Sequence, residues 1–207
     1  MKSFNLSHDS IESLSLISVD KKLAKAILAV GNFKIEIMKN EFVSLVNFII
    51  GQQLSEKAAN TIYQRLFSSV DVISPEVLSN TNDIIFKDAG ISKMKTSFIK
   101  DLSLKIINNE IDFKQLKKAD DDFVIKKLTE IKGIGQWTAE MFLIFTLGRK
   151  DVMSLNDVGL QRSIKWLYRL DETPDKEMLK KISNKWKPYR SIASLYLWEL
   201  INRNMLT

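Results

Sequence analysis

The amino-acid sequence predicts an all-α fold made of many short helices. Three observations carry the prediction. Apolar residues recur at helical rather than alternating spacing, cap residues precede most of the periodic runs, and 207 residues contain only seven Gly and three Pro. In chain order, Phe42, Leu45, Val46, Ile49 and Ile50 lie on one helical face, with Asn40 as N-cap. Ser55 caps a helix over 56–67. Ser74, Pro75 and Glu76 supply a cap, a proline at the first helical position and an acid in the first turn. Asn82 starts a short helix ending at Gly90, and Ser92 starts a longer one to about 108. Asp120 precedes a helix to about 131, Thr173 and Pro174 open another, and Pro188 separates that one from a last helix over 189–203. The segment FKIEI over 33–37 has strand character, but one segment does not make a sheet.

Composition narrows the chemistry. Apolar residues make up 45% of the chain, a globular value. There is no Cys, which removes disulfides, thiolate metal sites, iron–sulfur clusters and a Cys nucleophile. The single His, His8, argues against a Ser-His-Asp triad or a His-rich metal site. Chemistry therefore falls to carboxylates, Lys, Tyr or the backbone. No stretch reaches the roughly 18 apolar residues of a membrane helix, and the N-terminus lacks the apolar core of a secretory signal. The expected compartment is cytoplasmic, with no membrane partner. A net charge of +6 admits nucleic acid, an anionic surface or an acidic protein as partner. The basic runs over 93–118 and 176–190 carry interleaved acids and read mostly as solvated helix faces. The triplet Asp120, Asp121 and Asp122 reads as a helix start, since adjacent helical carboxylates do not converge on one ion.

The most informative segment is LTEIKGIGQWTAEMFLIF, residues 128–145. An apolar helix end meets Gly133, Ile134 and Gly135, and a second apolar helix follows at once. Two Gly around one apolar residue permit a tight reversal with a close backbone approach. Ile134 would plug the junction. The amides opening the second helix, at its positive dipole end, then face outward and favour an anion such as a DNA phosphate. An αα-turn with a Gly cap gives a similar short pattern. The longer string Leu-x-x-Ile-x-Gly-Ile-Gly-x-x-Thr-Ala is far more specific.

Four blocks now stand in order: FVSLVNFIIGQQLSEKAA from Phe42 to Ala59; Gly90, Ile91 and Ser92 with Lys93 and Lys95; the hairpin; and WKPYRS from Trp186 to Ser191 followed by Trp198. In these the chain resembles the helix-hairpin-helix (HhH-GPD) superfamily of DNA base-excision glycosylases, and within it the alkylated-base, 3-methyladenine type II branch. The resemblance implies two helical lobes, a continuous one over 41–149 and a second joining 1–40 to 150–207, with the DNA-facing cleft between them. It implies a minimal form lacking the N-terminal β-rich domain of larger members.

The family places its essential Asp after the hairpin. Asp157, 22 residues beyond Gly135, matches that position. An Asp ahead of a helical segment is also an N-cap, and the two roles coexist. Asn156 would shape the turn, and Asp151 sits nearer the loop. Breaking an N-glycosidic bond builds positive charge at C1′ of the sugar, which a fixed anion stabilises. An N-alkylated purine is already cationic and leaves without a general acid, which suits a chain without a His in these blocks.

By the same resemblance, Trp137 and Trp198 wall the base pocket, where aromatic faces suit a cationic base. Both are equally the residues that fill a core. Met141 departs from an aromatic of some relatives, and Gln52 would contact a base edge. Gln53 matches the residue wedged into the gap left by the extruded nucleotide. Tyr189 and Tyr196 carry no assignment. The Schiff-base Lys of bifunctional relatives would stand where Trp137 stands, so no lyase activity is expected. Gly133, Gly135, Thr138 and Arg162 would bind phosphates. No cofactor is required, though carbonyls of Thr129, Ile131 and Ile134 would hold a structural sodium or potassium ion.

The expected activity is monofunctional release of alkylated purines from double-stranded DNA by a monomer. Two alternatives stay open: a non-catalytic DNA-binding module, and the same fold acting on deaminated or oxidised bases.

Overall fold

A computed structural model describes residues 3–206. Among them the chain forms two compact units, one of residues 38–142 and one of residues 3–37 with 143–206.

The second of these opens with β1 (Ser3–Leu6), α1 (Ile11–Val19), α2 (Lys21–Val30) and β2 (Phe33–Glu36). The strands pair antiparallel, Ser3 opposite Glu36 and Leu6 opposite Phe33. The pair adds one two-stranded sheet to the expected helical fold. FKIEI finds its partner in SFNL, about thirty residues upstream, a segment too short to announce itself by alternation. Phe4 and Leu6 are buried on one face, and the Phe33 ring meets Tyr196 edge-on at 5.1 Å. Helices α1 and α2 are further additions to the sequence reading. On α1, Ile11, Leu14 and Val19 are exposed while Leu16 is buried, so apolar residues surround the helix and mask its period.

Residues 38–142 hold α3 (Glu41–Gly51), α4 (Glu56–Ser69), α5 (Pro75–Asn80), α6 (Asp83–Ala89), α7 (Lys93–Ile107), α8 (Phe113–Lys118) and α9 (Asp121–Thr129). α10 (Gln136–Phe145) begins there. The expected caps act as such: Asn40, Ser55, Ser74, Asn82, Ser92 and Asp120 each accept a backbone N–H of the following helix. Leu45, Val46, Ile49 and Ile50 of α3 are buried, and α3 packs on α4 and α7. The short α8 has too few residues to display a period.

After α10 come α11 (Val158–Tyr168), α12 (Lys176–Asn184) and α13 (Arg190–Asn202). α12 starts later than the Thr173–Pro174 reading placed it. Asp175, not Thr173, caps it, accepting from the Met178 N–H at 2.8 Å. α13 is buried nearly all round, through Ile192, Ala193, Leu195, Tyr196, Leu197 and Leu200, and α2 and α11 pack against it. Asp20 caps α2 and binds this core together: its Oδ2 accepts from the Tyr168 hydroxyl, from Trp186 Nε1 at 2.9 Å and from Lys185 Nζ at 3.0 Å. No helix among the described residues is long and apolar enough to cross a membrane.

Candidate active site

The hairpin forms at 130–135, between α9 and α10. Gly133 has φ +79°, and the Phe98 ring of α7 occupies the place a Cβ would take. Backbone conformation and close approach both demand glycine there. Gly135 differs from the expectation of two conformationally required glycines. Its φ is not in the left-handed region, and a Cβ there would meet nothing within 4 Å. It leaves open space ahead of the first turn of α10, whose positive dipole end lies at Gln136, Trp137 and Thr138. Ile131 and Ile134 are buried, and the Ile134 N–H donates to the Ile131 carbonyl at 3.1 Å, so Ile134 does plug the turn.

Thr138 and Met141 are buried on α10, whereas Trp137 is 43% exposed. Gln136 Nε2 donates to Glu140 Oε1 at 2.9 Å. Gln52 closes α3 and donates from Nε2 to the Gly133 carbonyl at 2.7 Å. In this conformation its amide serves the hairpin. Gln53 is exposed with φ +59°. Thr129 Oγ1 donates to the carbonyls of Ile125 and Lys126, both at 2.9 Å.

Asp157 stands in the other compact unit. It is the N-cap of α11 and only 8% exposed. Its Oδ1 accepts from the Leu160 N–H at 2.7 Å and from Trp198 Nε1 at 3.0 Å. Two residues singled out 41 positions apart are therefore hydrogen-bonded to each other. The Trp198 indole packs on Phe145, with centroids 5.8 Å apart and planes inclined by 32°. One carboxylate oxygen is thus fixed by two donors, and the indole is fixed by a ring and a carboxylate. Arg162, on the exposed side of α11, is in no ion pair among the described residues.

The WKPYRS block has a role that sequence reading left unassigned. Arg190 donates to Asp151 from its backbone N–H at 3.2 Å, from Nε at 2.8 Å and from Nη2 at 3.0 Å. The Ser191 N–H donates to the Lys150 carbonyl at 2.9 Å, and the Val152 N–H donates to Ser191 Oγ at 2.9 Å. The start of α13 thereby fastens the segment leading to Asp157, and the same helix carries Trp198 two turns on. Asp151 is a structural partner of Arg190. Tyr196 is buried and hydrogen-bonded to Ser13 at 2.9 Å, so it belongs to the core. Burial of its phenol raises its pKa. Asp120 caps α9, and no group of three or more His, Cys, Asp or Glu among the described residues is arranged to hold a metal.

Known proteins align with this arrangement over most of the chain. The sequence is 32% identical over 194 residues to the DNA-3-methyladenine glycosylase 1 of Schizosaccharomyces pombe, covering 90% of this chain and 85% of that protein. The fold superposes with TM-score 0.86 on a DNA-3-methyladenine glycosidase from Bacillus halodurans, at 40% identity, covering 99% of this chain and 94% of the other. It superposes with TM-score 0.85 on the S. pombe 3-methyladenine DNA glycosylase Mag1 in complex with abasic DNA, at 30% identity over 93% and 97% of the two chains. With residues 46–188 also matching the family profile, the chain belongs to the HhH-GPD superfamily of base excision DNA repair proteins.

Proposed function

We propose that this protein is a monofunctional DNA glycosylase that extrudes alkylated purines of the 3-methyladenine type from double-stranded DNA and hydrolyses their N-glycosidic bond. The observation that carries the reading is Asp157: a nearly buried carboxylate held by Leu160 and Trp198, in a chain whose relatives are named for this activity.

The chemistry follows from charge. As the C1′–N bond breaks, its electron pair moves onto the base nitrogen and neutralises the positive charge of an N-alkylated purine. Positive charge passes to the sugar, where the Asp157 carboxylate stabilises it. Water adds to C1′ and its proton leaves to the carboxylate or to solvent, giving an abasic sugar and a free base. The carboxylate is oriented before reaction, so its alignment costs little at the transition state. Trp137 and Trp198 offer the aromatic faces that favour a cationic base. Gln53 fills the gap left by the extruded base. Trp137 in place of an amine leaves no Schiff base at that position, and the abasic strand stays intact.

Gly133, Gly135, Thr138 and Arg162 grip phosphates of the duplex. The hairpin carbonyls of Thr129, Ile131 and Ile134 are neutral oxygen donors without a carboxylate among them, a set that suits a monovalent cation better than a divalent one. They would hold sodium or potassium as a structural aid to that grip. The protein acts as a monomer.

The test is excision from duplexes carrying 3-methyladenine or 1,N6-ethenoadenine, scored with and without alkali. Wild type should release base and leave strands that break only in alkali. Asp157→Asn keeps an N-cap, so it should fold normally while losing about 10²–10³-fold in rate. Full activity in that variant would remove Asp157 from the mechanism. Strand breakage without alkali would remove the monofunctional assignment.

A further inference from the structure

The turn after α3 is held from two sides. Lys95, half-buried in the first turn of α7, donates from Nζ to the carbonyls of Ile50 at 2.7 Å and Gln52 at 2.8 Å. The C-terminal end of a helix concentrates partial negative charge on its last carbonyls, and a cation there is favourable. Burial lowers the Lys95 pKa, the expected cost of drawing an ammonium out of water. From the other side, Gln52 Nε2 donates to the Gly133 carbonyl of the hairpin at 2.7 Å. The turn itself closes through the Leu54 N–H to the Gly51 carbonyl at 3.1 Å, and Ser55 then caps α4.

Between these anchors stands Gln53, exposed, with φ +59°. A non-glycine residue in the left-handed region costs about 1–2 kcal/mol. Such a conformation persists where its surroundings over-determine it, and such residues cluster at functional sites. Here the over-determination is visible: one ammonium fixes the carbonyl of the preceding residue, and that residue's amide is fixed to the hairpin.

We infer that Lys95 is a positioning residue for base extrusion: its ammonium locks the Gln52–Gln53 turn so that Gln53 is presented to the gap in the duplex, and Gln52 couples the turn to the phosphate-gripping hairpin. The inference rests on the glycosylase reading above and deepens it. Lys95 touches no reacting atom. It acts through the backbone of Gln52, and a side chain of similar length without donors should fail where another cation succeeds.

The experiment compares wild type, Lys95→Met and Lys95→Arg. Single-turnover release of 1,N6-ethenoadenine is measured with the lesion opposite thymine and with the lesion opposite an abasic analogue, where the base is already unpaired. Amide hydrogen exchange across residues 51–55 is followed in the same proteins. Lys95→Met should slow release opposite thymine by about tenfold or more and opposite the abasic analogue by less than about threefold, because only the first substrate needs a wedge to hold the gap open. Its turn amides should exchange faster, and Lys95→Arg should restore most of both. Equal slowing on both duplexes would mean general structural damage and would overturn the inference, as would unchanged exchange. If wild type released base from neither duplex, the glycosylase reading would fall, while unchanged exchange in Lys95→Met would separately overturn the role of Lys95.

Discussion

Asp157 uses one oxygen for two partners, the Leu160 amide that starts α11 and the Trp198 indole from α13. This makes the two roles of Trp198 separable. Trp198→Phe keeps an aromatic face but removes the N–H, and Trp198→Ala removes both. A hydrogen bond to a charged group contributes about 1.5 kcal/mol or more, so Trp198→Phe should lower single-turnover excision by about tenfold or more with little change in DNA affinity. Trp198→Ala should lose more, and should discriminate less between cationic and neutral lesions. If Trp198→Phe matches wild type on every lesion, the indole hydrogen bond has no part in aligning the carboxylate.

Among the elements, the hairpin is the one most constrained by geometry. Gly133→Ala must place a methyl group where the Phe98 ring lies and hold φ at +79°. It should destabilise the protein by about 2 kcal/mol or more, lowering Tm by roughly 4–8 °C. Gly135→Ala meets open space in the free protein. Its Tm should stay near wild type, and any loss should appear in DNA affinity, measured by fluorescence anisotropy. An equal loss of Tm from both substitutions would contradict the distinction between the two glycines. The α13 N-terminus is the second such element, because Arg190 and Ser191 fasten the strand of chain that delivers Asp157.

Taken over the whole molecule, two bulk properties follow from charge. Burial alone would raise the Asp20 pKa, but donors from Tyr168, Trp186 and Lys185 outweigh it and hold the carboxyl at about 2. A carboxyl depressed in the folded state contributes stability that is complete above its unfolded value near 4 and lost as pH falls towards 2. The contribution is about 2 kcal/mol, and thermal melts between pH 5 and pH 2 should show it as a steep loss that Asp20→Asn flattens. The same network, with burial as the leading cause, raises the Tyr168 pKa. The second property is the net charge of +6. DNA affinity should fall steeply with added salt, and Arg162→Gln should reduce the slope of log K against log salt by about one. A slope unchanged by that substitution would place Arg162 off the phosphate backbone.

The helical class, the caps of α3 to α7 and α9, and the hairpin were legible in the residues, because cap chemistry and a 3.6-residue period are local properties that each segment carries with it. The glycine turn is local in the same way, whereas Asp157 and Trp198 stood out only through the resemblance to the glycosylase family. What the linear chain left open depends on partners far away in sequence. FKIEI becomes a strand through SFNL, α1 becomes a helix despite its scattered apolar residues, and Tyr196 settles into the core against Phe33 and Ser13. The same holds at the site. Which carbonyl the Gln52 amide meets, which of two glycines is conformationally required, and what Lys95 and Arg190 hold are set by hydrogen bonds across 39 to 81 positions or by a ring that arrives from another helix. Local propensity is written in neighbouring residues, whereas the pairing of buried polar groups is chosen when folding brings distant donors and acceptors together and excludes the water that would otherwise satisfy them.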